Sequence, residues 1–295
     1  METGPLFTAW VMADWSAAAV PRQGKDSIWV GARVQGQGMR LENLPTRAAA
    51  RARLAQIFRQ LTASGHRVLA GFDFPFGYPR GTARALGLSG APWRAMWDLL
   101  AAEIEDRPDN VNNRFDVAAG LNRRLPGAAG PFWGHPRGRN YAPRLEPGRP
   151  RPGLLPERRH ADAAVPRAQP VWKLYGNGAV GSQTLTGIPV LHFLRFRAPT
   201  AGVTRVWPFE TGLAAPEGPR IVLAEIYPGL WPLRPNRHRV KDAAQVASVA
   251  ARLHRLDREG RLAAAFAAPG LGPAARRDVT REEAWILGAG MRTAG

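Results

Sequence analysis

Three short apolar stretches of this chain each run into a single carboxylate, and that pattern restricts the fold more than any other feature. Leu6 to Asp14 is rich in aromatic and β-branched residues and too short for an ordinary helix, so it is expected to be a buried strand ending on an acid. His66 to Asp73 repeats the pattern, and Arg220 to Tyr227 repeats it with Glu225 inside. An acid in an apolar strand is costly to bury without compensation. Several acids meeting at one place raise one another's pKa unless a cation holds them apart. Mg2+ or Mn2+, hard and oxygen-seeking, is the natural counter-ion. The competing reading is that each acid caps a turn: Asp14 before Trp15-Ser16, Asp73 in Asp-Phe-Pro, and Glu225 before Tyr227-Pro228.

Between these strands lie recognisable elements. Residues 27 to 34 and 39 to 44 flank Gly36-Gln37-Gly38, which predicts a hairpin and so three antiparallel strands. Thr46 is expected to cap a helix that carries Leu54, Ile57, Phe58 and Leu61 on one face, turns Arg47, Arg51 and Arg59 elsewhere, and closes at Gly65. A second helix is expected after Pro92, with Trp93, Met96, Trp97, Leu100 and Ile104 inward. A third carries Val246, Val249, Ala250, Leu253 and Leu256 on one face, and a last helix is expected to start at Thr280. Further regular structure is expected at 171–175, 190–196 and 203–209.

Leu121 to Pro170 reads as a long irregular insertion rich in Pro, Gly and Arg, with ten arginines against Glu146, Glu157 and Asp162. The 295-residue chain has 41 Lys plus Arg against 23 Asp plus Glu, a formal charge of +18. Only Lys25, Lys173 and Lys241 are lysines, and an Arg-, Ala-, Gly- and Pro-rich composition follows from a GC-rich genome. Part of the charge therefore needs no function, whereas the cluster in the insertion fits a nucleic-acid or nucleotide partner. There is no cysteine, which excludes a disulfide framework, thiolate zinc, iron-sulfur clusters and a thiol nucleophile. No run reaches the roughly 18 apolar residues of a membrane span, and Met1-Glu2-Thr3-Gly4-Pro5 lacks a basic n-region and a signal-like cleavage site. The expectation is a soluble, cytoplasmic protein with no membrane partner.

The order strand with acid, hairpin, amphipathic helix, strand with acid, insertion, strand with acid, helix, terminal helix resembles the ribonuclease-H-like fold, an α/β architecture with a mixed sheet flanked by helices. Ala13-Asp14-Trp15-Ser16, Gly71-Phe72-Asp73-Phe74-Pro75-Phe76-Gly77-Tyr78-Pro79 and Ala224-Glu225-Ile226-Tyr227-Pro228 resemble the motifs of an uncharacterised family of predicted ribonuclease-H-like nucleases. That family has an aspartate on strand one, an Asp-x-Pro turn on strand four and a Glu-x-x-Pro turn on strand five. The resemblance covers about residues 6–80 and 220–292. It implies one ribonuclease-H-like domain over 1–295 interrupted by an insertion at 81–205. It also implies a Mg2+- or Mn2+-dependent nuclease that hydrolyses phosphodiester bonds by a two-metal mechanism. On that resemblance Asp14 would bridge the metals, Asp73 and Glu225 would bind one each or orient a water, and Lys241 would contact a phosphate. The chain departs from the family at its last motif, where paired aspartates and a further Asp-Ala are replaced by Arg281-Glu282-Glu283-Ala284-Trp285-Ile286. Glu282 or Glu283 is then the expected fourth ligand, with Thr280-x-x-Glu283 readable equally as a capping box.

Arg123, Arg124, Arg137 and Arg139 are expected on the nucleic-acid backbone. Phe132, Trp133 and Tyr141 are expected either to stack on bases or to pack the insertion onto the body. Gly176-Asn177-Gly178-Ala179-Val180-Gly181 matches a dinucleotide fingerprint. However, the following Ser182-Gln183-Thr184-Leu185-Thr186-Gly187-Ile188-Pro189 is a poor helix start, and no acid appears before Glu210. A glycine-lined loop near a phosphate, with Lys173, Ser182, Gln183 and Thr184 as contacts, is the expectation there; a plain hairpin connection is the alternative. The histidines (His66, His135, His160, His192, His238, His254) form no His-x-x-x-His pair, which argues against zinc, and serine-hydrolase and Walker A sequences are missing. Two other function classes stay open. One is a non-hydrolytic nucleotide or cofactor binder, because the same fold supports nucleotide-binding proteins and similar proteins have been labelled as molybdopterin guanine dinucleotide synthesis factors. The other is a non-catalytic nucleic-acid-binding protein, for which converging acids have no use.

Overall fold

The computed structural model describes residues 4–125, 130–141, 144–231 and 240–291. The chain builds β1 (Ala9–Asp14), β2 (Ile28–Val34), β3 (Met39–Leu44), α1 (Arg47–Ala63) and β4 (Val68–Phe72). It continues with α2 (Thr82–Ala85), α3 (Pro92–Glu103), α4 (Arg114–Arg124), α5 (His160–Ala164), α6 (Gly181–Phe196), β5 (Thr204–Val206) and β6 (Ile221–Glu225). It ends with α7 (Lys241–Arg258), α8 (Leu262–Ala265) and α9 (Pro273–Asp278), followed by one π turn, Val279–Glu283. The result is an α/β fold with a six-stranded mixed sheet of order β3-β2-β1-β4-β6-β5. β1, β4, β6 and β5 run parallel, and β2 and β3 run antiparallel to their neighbours.

The central strands are apolar along their length because both faces are covered, as parallel strands require. Alternation sorts their side chains. Ala9, Val11, Ala13, Val68, Ala70, Phe72, Ile221 and Leu223 pack in one core with α1, α3, α4 and α6. Trp10, Met12, Leu69, Val222 and Ala224 pack in a second with α7. The edges are blunted in the usual ways: β3 is only half-buried and carries Arg40 and Glu42, and β5 has three residues. Among the described residues no helix is long and apolar enough to cross a membrane.

Local chemistry explains the elements that sequence periodicity marks. Thr46 caps α1 by accepting from Ala49 N at 3.2 Å, and Leu54, Ile57 and Phe58 are buried as expected. Pro92 opens α3, whose Trp93 stacks on Phe209 at 4.9 Å. Lys241 opens α7, which buries Val246, Val249, Ala250, Leu253 and Leu256.

Four local expectations are corrected. Residues 182–189 are helical rather than loop: α6 contains Pro189, and burial of Leu185, Ile188, Leu191 and Leu194 outweighs the weak local signal. Gly187 is required there because a Cβ would overlap the Phe74 ring. Residues 171–175 and 203–209 make only an isolated bridge, Trp133 with Lys173, and the short β5. The helix expected from Thr280 instead ends at Glu283, and Thr280 donates back to Arg276 O at 2.8 Å rather than capping. Arg47 does not turn away: it is buried, forks onto Asp106 at 2.6 and 2.7 Å, and donates to Ser16 O and Ala18 O.

The loop after β4 lies directly against the π turn, and a Cβ at Gly77 would overlap the carbonyl of Glu282. Gly77→Ala should therefore destabilise the fold by about 1–3 kcal/mol, whereas Gly38→Ala, with open space around it, should be near neutral. Urea melts of the two variants beside wild type check this.

Candidate active site

Sheet register decides which of the three acids meet. Ala13 pairs with Phe72, so Asp14, the last residue of β1, lies beside Asp73, the first residue past β4. Both continue the alternation on the α7 face, after Trp10 and Met12 on one strand and Leu69 and Gly71 on the other. Glu225 pairs level with Phe72 and continues Ile221 and Leu223 on the opposite face. The sheet thus sets Asp14 and Asp73 side by side, with Glu225 turned toward Arg159 at the wall of a cleft that Asp73 also lines.

Burial pushes the Asp14 carboxyl up to about 9, helped by the charges of Asp73, Asp242 and Asp26 and opposed by Lys241. Burial also raises Asp73 to about 7, against the hydrogen bonds that favour its ionised form, one of them from Trp15 N to Oδ1 at 2.7 Å. The first turn of α7 delivers both Lys241 and Asp242, and Asp26 N donates to Asp242 Oδ2 at 2.7 Å. Asp242 is the site acid that motif reading missed; its position beside Lys241, at a helix start, was the available signal.

Glu225 belongs to a different arrangement. Arg159 is buried and forks onto it, with two N···O distances of 2.7 Å, while Phe76 N donates to Oε2 at 2.9 Å. The same guanidinium pairs with buried Asp162 at 2.7 Å and donates to Glu283 O at 2.9 Å. Burial raises Glu225, and the adjacent Arg159 pulls it back down. Nothing marked Arg159 in sequence, where it is one of ten arginines in a biased stretch. Glu282 accepts from Gly81 N and Ala83 N, both at 2.7 Å, and Glu283 from Arg80 N at 2.8 Å and His160 N at 2.6 Å. These carboxylates tie the π turn to the start of α2 and to α5. Glu283 does not close a capping box on its own helix.

A cleft of about 290 Å³ opens at the C-terminal ends of β4 and β6, lined by Asp73, Arg159, Gln183, Glu225, Tyr227 and Lys241. Gln183 donates to Trp15 O at 2.7 Å and so fixes the chain just past Asp14. Ser182, by contrast, is buried and donates to Leu174 O at 2.6 Å. Lys173 donates to Asn177 O at 2.5 Å and lies 5.8 Å from the Trp133 ring centre. Arg123, Arg124, Arg137 and Arg139 are exposed, with Arg124 on Glu103 at 2.9 Å. Phe132 is buried against Tyr78 and Trp172, which settles it as packing, while Trp133 and Tyr141 are half-buried. His238 lies outside the described residues.

The donor chemistry bears on a metal as follows. Asp14 and Asp73 present hard oxygens side by side, and burial disfavours the ionised form of each, a cost one divalent cation would relieve. Glu225, Glu282 and Glu283 have oxygens already engaged by a guanidinium or by backbone amides. Among the described residues no group of three or more His, Asp or Glu side chains has a metal-binding arrangement. Comparison of the chain with protein-family models, with curated proteins and with solved structures finds no match.

Two outcomes follow from the electrostatics. Because the folded Asp14 binds its proton up to about pH 9 against an ordinary 3.8, the folded state holds more protons than the unfolded one across that window. Stability therefore falls as pH rises through it. Asp14→Asn should raise the melting temperature at about pH 8 and flatten the loss between about pH 5 and 8; parallel profiles in variant and wild type would refute the assignment. Arg159→Met leaves Glu225 and Asp162 buried without their cation and should cost about 3–5 kcal/mol in urea unfolding.

Proposed function

We propose that the chain is a ribonuclease-H-like hydrolase that cleaves nucleic-acid phosphodiester bonds with a bound Mg2+ or Mn2+, held by Asp14 and Asp73. The observation that carries this reading is the pair itself: two carboxylates at the ends of adjacent parallel strands, each with its pKa driven upward. A purely structural pair would be an unrelieved cost, whereas a cation-binding pair is complete once occupied. The strand order β3-β2-β1-β4-β6, with β2 alone antiparallel to both neighbours, supports the fold assignment, with β5 as an added edge.

Held by Asp14 and Asp73, a divalent cation would supply Lewis acidity toward a phosphoryl oxygen and lower the pKa of a water. The protein supplies the rest. Trp15 N holds Asp73 Oδ1 and so fixes the orientation of the carboxylate. Gln183 fixes the Trp15 carbonyl. Lys241, whose charge reaches Asp14 and which lines the cleft, is the cation we assign to a phosphate of the substrate. Arg159 holds Glu225 at the cleft wall through both of its oxygens, which leaves it engaged by the guanidinium. The two-metal expectation thereby narrows to one cation on Asp14 and Asp73, with Asp242 close enough to add to their negative field.

The test is hydrolysis of single- and double-stranded DNA and RNA with Mn2+ or Mg2+. Asp14→Asn and Asp73→Asn should each lower the rate by about three orders of magnitude, equivalent to about 4 kcal/mol of transition-state stabilisation. Equal activity in wild type and both variants would sink the reading, and nucleotide binding without hydrolysis would favour the non-hydrolytic class.

A further inference from the structure

Arg47, Arg159 and Arg114 are three arginines withdrawn from solvent beside the loops that frame the cleft, and among the described residues only two of them are hydrogen-bonded to a carboxylate. Arg47 is forked onto Asp106, and Arg159 onto Glu225 and Asp162. Arg114, at the start of α4, donates through Nε to Ser182 Oγ at 2.9 Å and through NH1 to Asn112 Oδ1 at 2.7 Å, and both acceptors are neutral. Its guanidinium lies 4.4 Å from the centre of the Phe115 ring. Asp106 is near enough to be felt, but both of its oxygens are already on Arg47. Among the described residues no carboxylate is hydrogen-bonded to the Arg114 guanidinium.

Desolvation, with Arg47 adding to it, pushes Arg114 down to about 10. A part-buried arginine held by neutral acceptors is an expensive arrangement for stability alone, since hydrophobic side chains of similar size would pack there without the desolvation cost. The contacts instead immobilise the guanidinium: Ser182 and Asn112 use part of its five-donor fork, and among the described residues NH2 has no hydrogen-bond acceptor. Tyr141 stands alongside, with its ring 6.0 Å from Phe115 and 5.3 Å from His135, and the charges of Asp116, Arg139 and Arg114 all reach it.

We propose that Arg114 is a phosphate-binding residue whose fork grips a phosphate group of the substrate strand. The site is tied to the acid pair through the protein itself. Ser182 precedes Gln183, which holds Trp15, and neighbouring Arg47 holds the carbonyls of Ser16 and Ala18 in the loop that follows Asp14. A planar guanidinium suits bidentate contact with phosphate, and the adjacent Tyr141 ring offers a face for the neighbouring base of a single strand. The inference rests on the phosphodiesterase reading for its placement, but phosphate binding is measurable without turnover.

The experiment is calorimetric titration of the full chain carrying Asp14→Asn with sodium pyrophosphate in one arm and a short single-stranded oligonucleotide in the other. Arg114→Gln should weaken binding about 10- to 100-fold, and Arg114→Lys, which keeps the charge and loses the fork, should weaken it less. Loss in both arms identifies a free phosphate group as sufficient, and loss with the oligonucleotide alone identifies the polynucleotide backbone. Unchanged affinity in a folded variant, or no binding of either probe to the parent, overturns the proposal. If Arg114→Gln does not fold, arginine-specific labelling of wild type by phenylglyoxal decides: protection of Arg114 by either probe supports the site, and none refutes it. Phosphate binding in a chain without metal-dependent cleavage would remove the proposed activity and leave this site standing; cleavage with unchanged Arg114→Gln affinity would do the reverse.

Discussion

The buried guanidinium of Arg159 holds together parts of the chain that lie far apart in sequence. It reaches Glu225 at the end of β6, Asp162 in α5 and the carbonyl of Glu283 in the π turn. Glu283 and Glu282 then fasten the backbone of residues 80, 81, 83 and 160. Removing the guanidinium would strand two carboxylates in an apolar setting, a cost much larger than the net value of the ion pairs themselves. The π turn, the turn after β4 and α5 thus share one electrostatic anchor.

That anchor also partitions the charges around the cleft. Glu225 is neutralised from inside the protein, so it adds little to the repulsion between Asp14 and Asp73 across the sheet. The aspartates have no such partner. Their proximity follows from parallel register, and the burial that strands provide drives both pKa values upward. Neutralisation by arginine on one face and lack of it on the other distinguishes a structural acid from acids left with something to bind.

The arginine surplus divides along the same line. Arg47 and Arg159 are buried organisers with carboxylate partners, Arg123, Arg137 and Arg139 are exposed, and Arg114 is sheltered and held by neutral acceptors. Composition cannot separate these roles, because each depends on which acid lies across from the guanidinium. Burial, in the same way, makes Phe132 a packing residue and leaves Tyr141 beside a surface where a ligand could reach it.

The acid-bearing strands, the hairpin, α1, α3 and α7 were legible in the sequence because burial on one or both faces writes a period into the residues. Asp14, Asp73 and Lys241 were legible because each stands at the end or start of such an element. The helix at 181–196 was not, since its stability comes from neighbours such as Phe74 pressed against Gly187 and not from local propensity. Nor was the separation of Glu225 from the two aspartates, which depends on a one-residue difference in register between strands distant in sequence. Sequence by itself determined which segments are buried and where acids interrupt them, because hydrophobic periodicity is a local property. Only the tertiary structure decided which acids share a face, which one Arg159 neutralises and which neutral acceptors hold Arg114, because charge compensation is set by distances between residues the chain brings together only on folding.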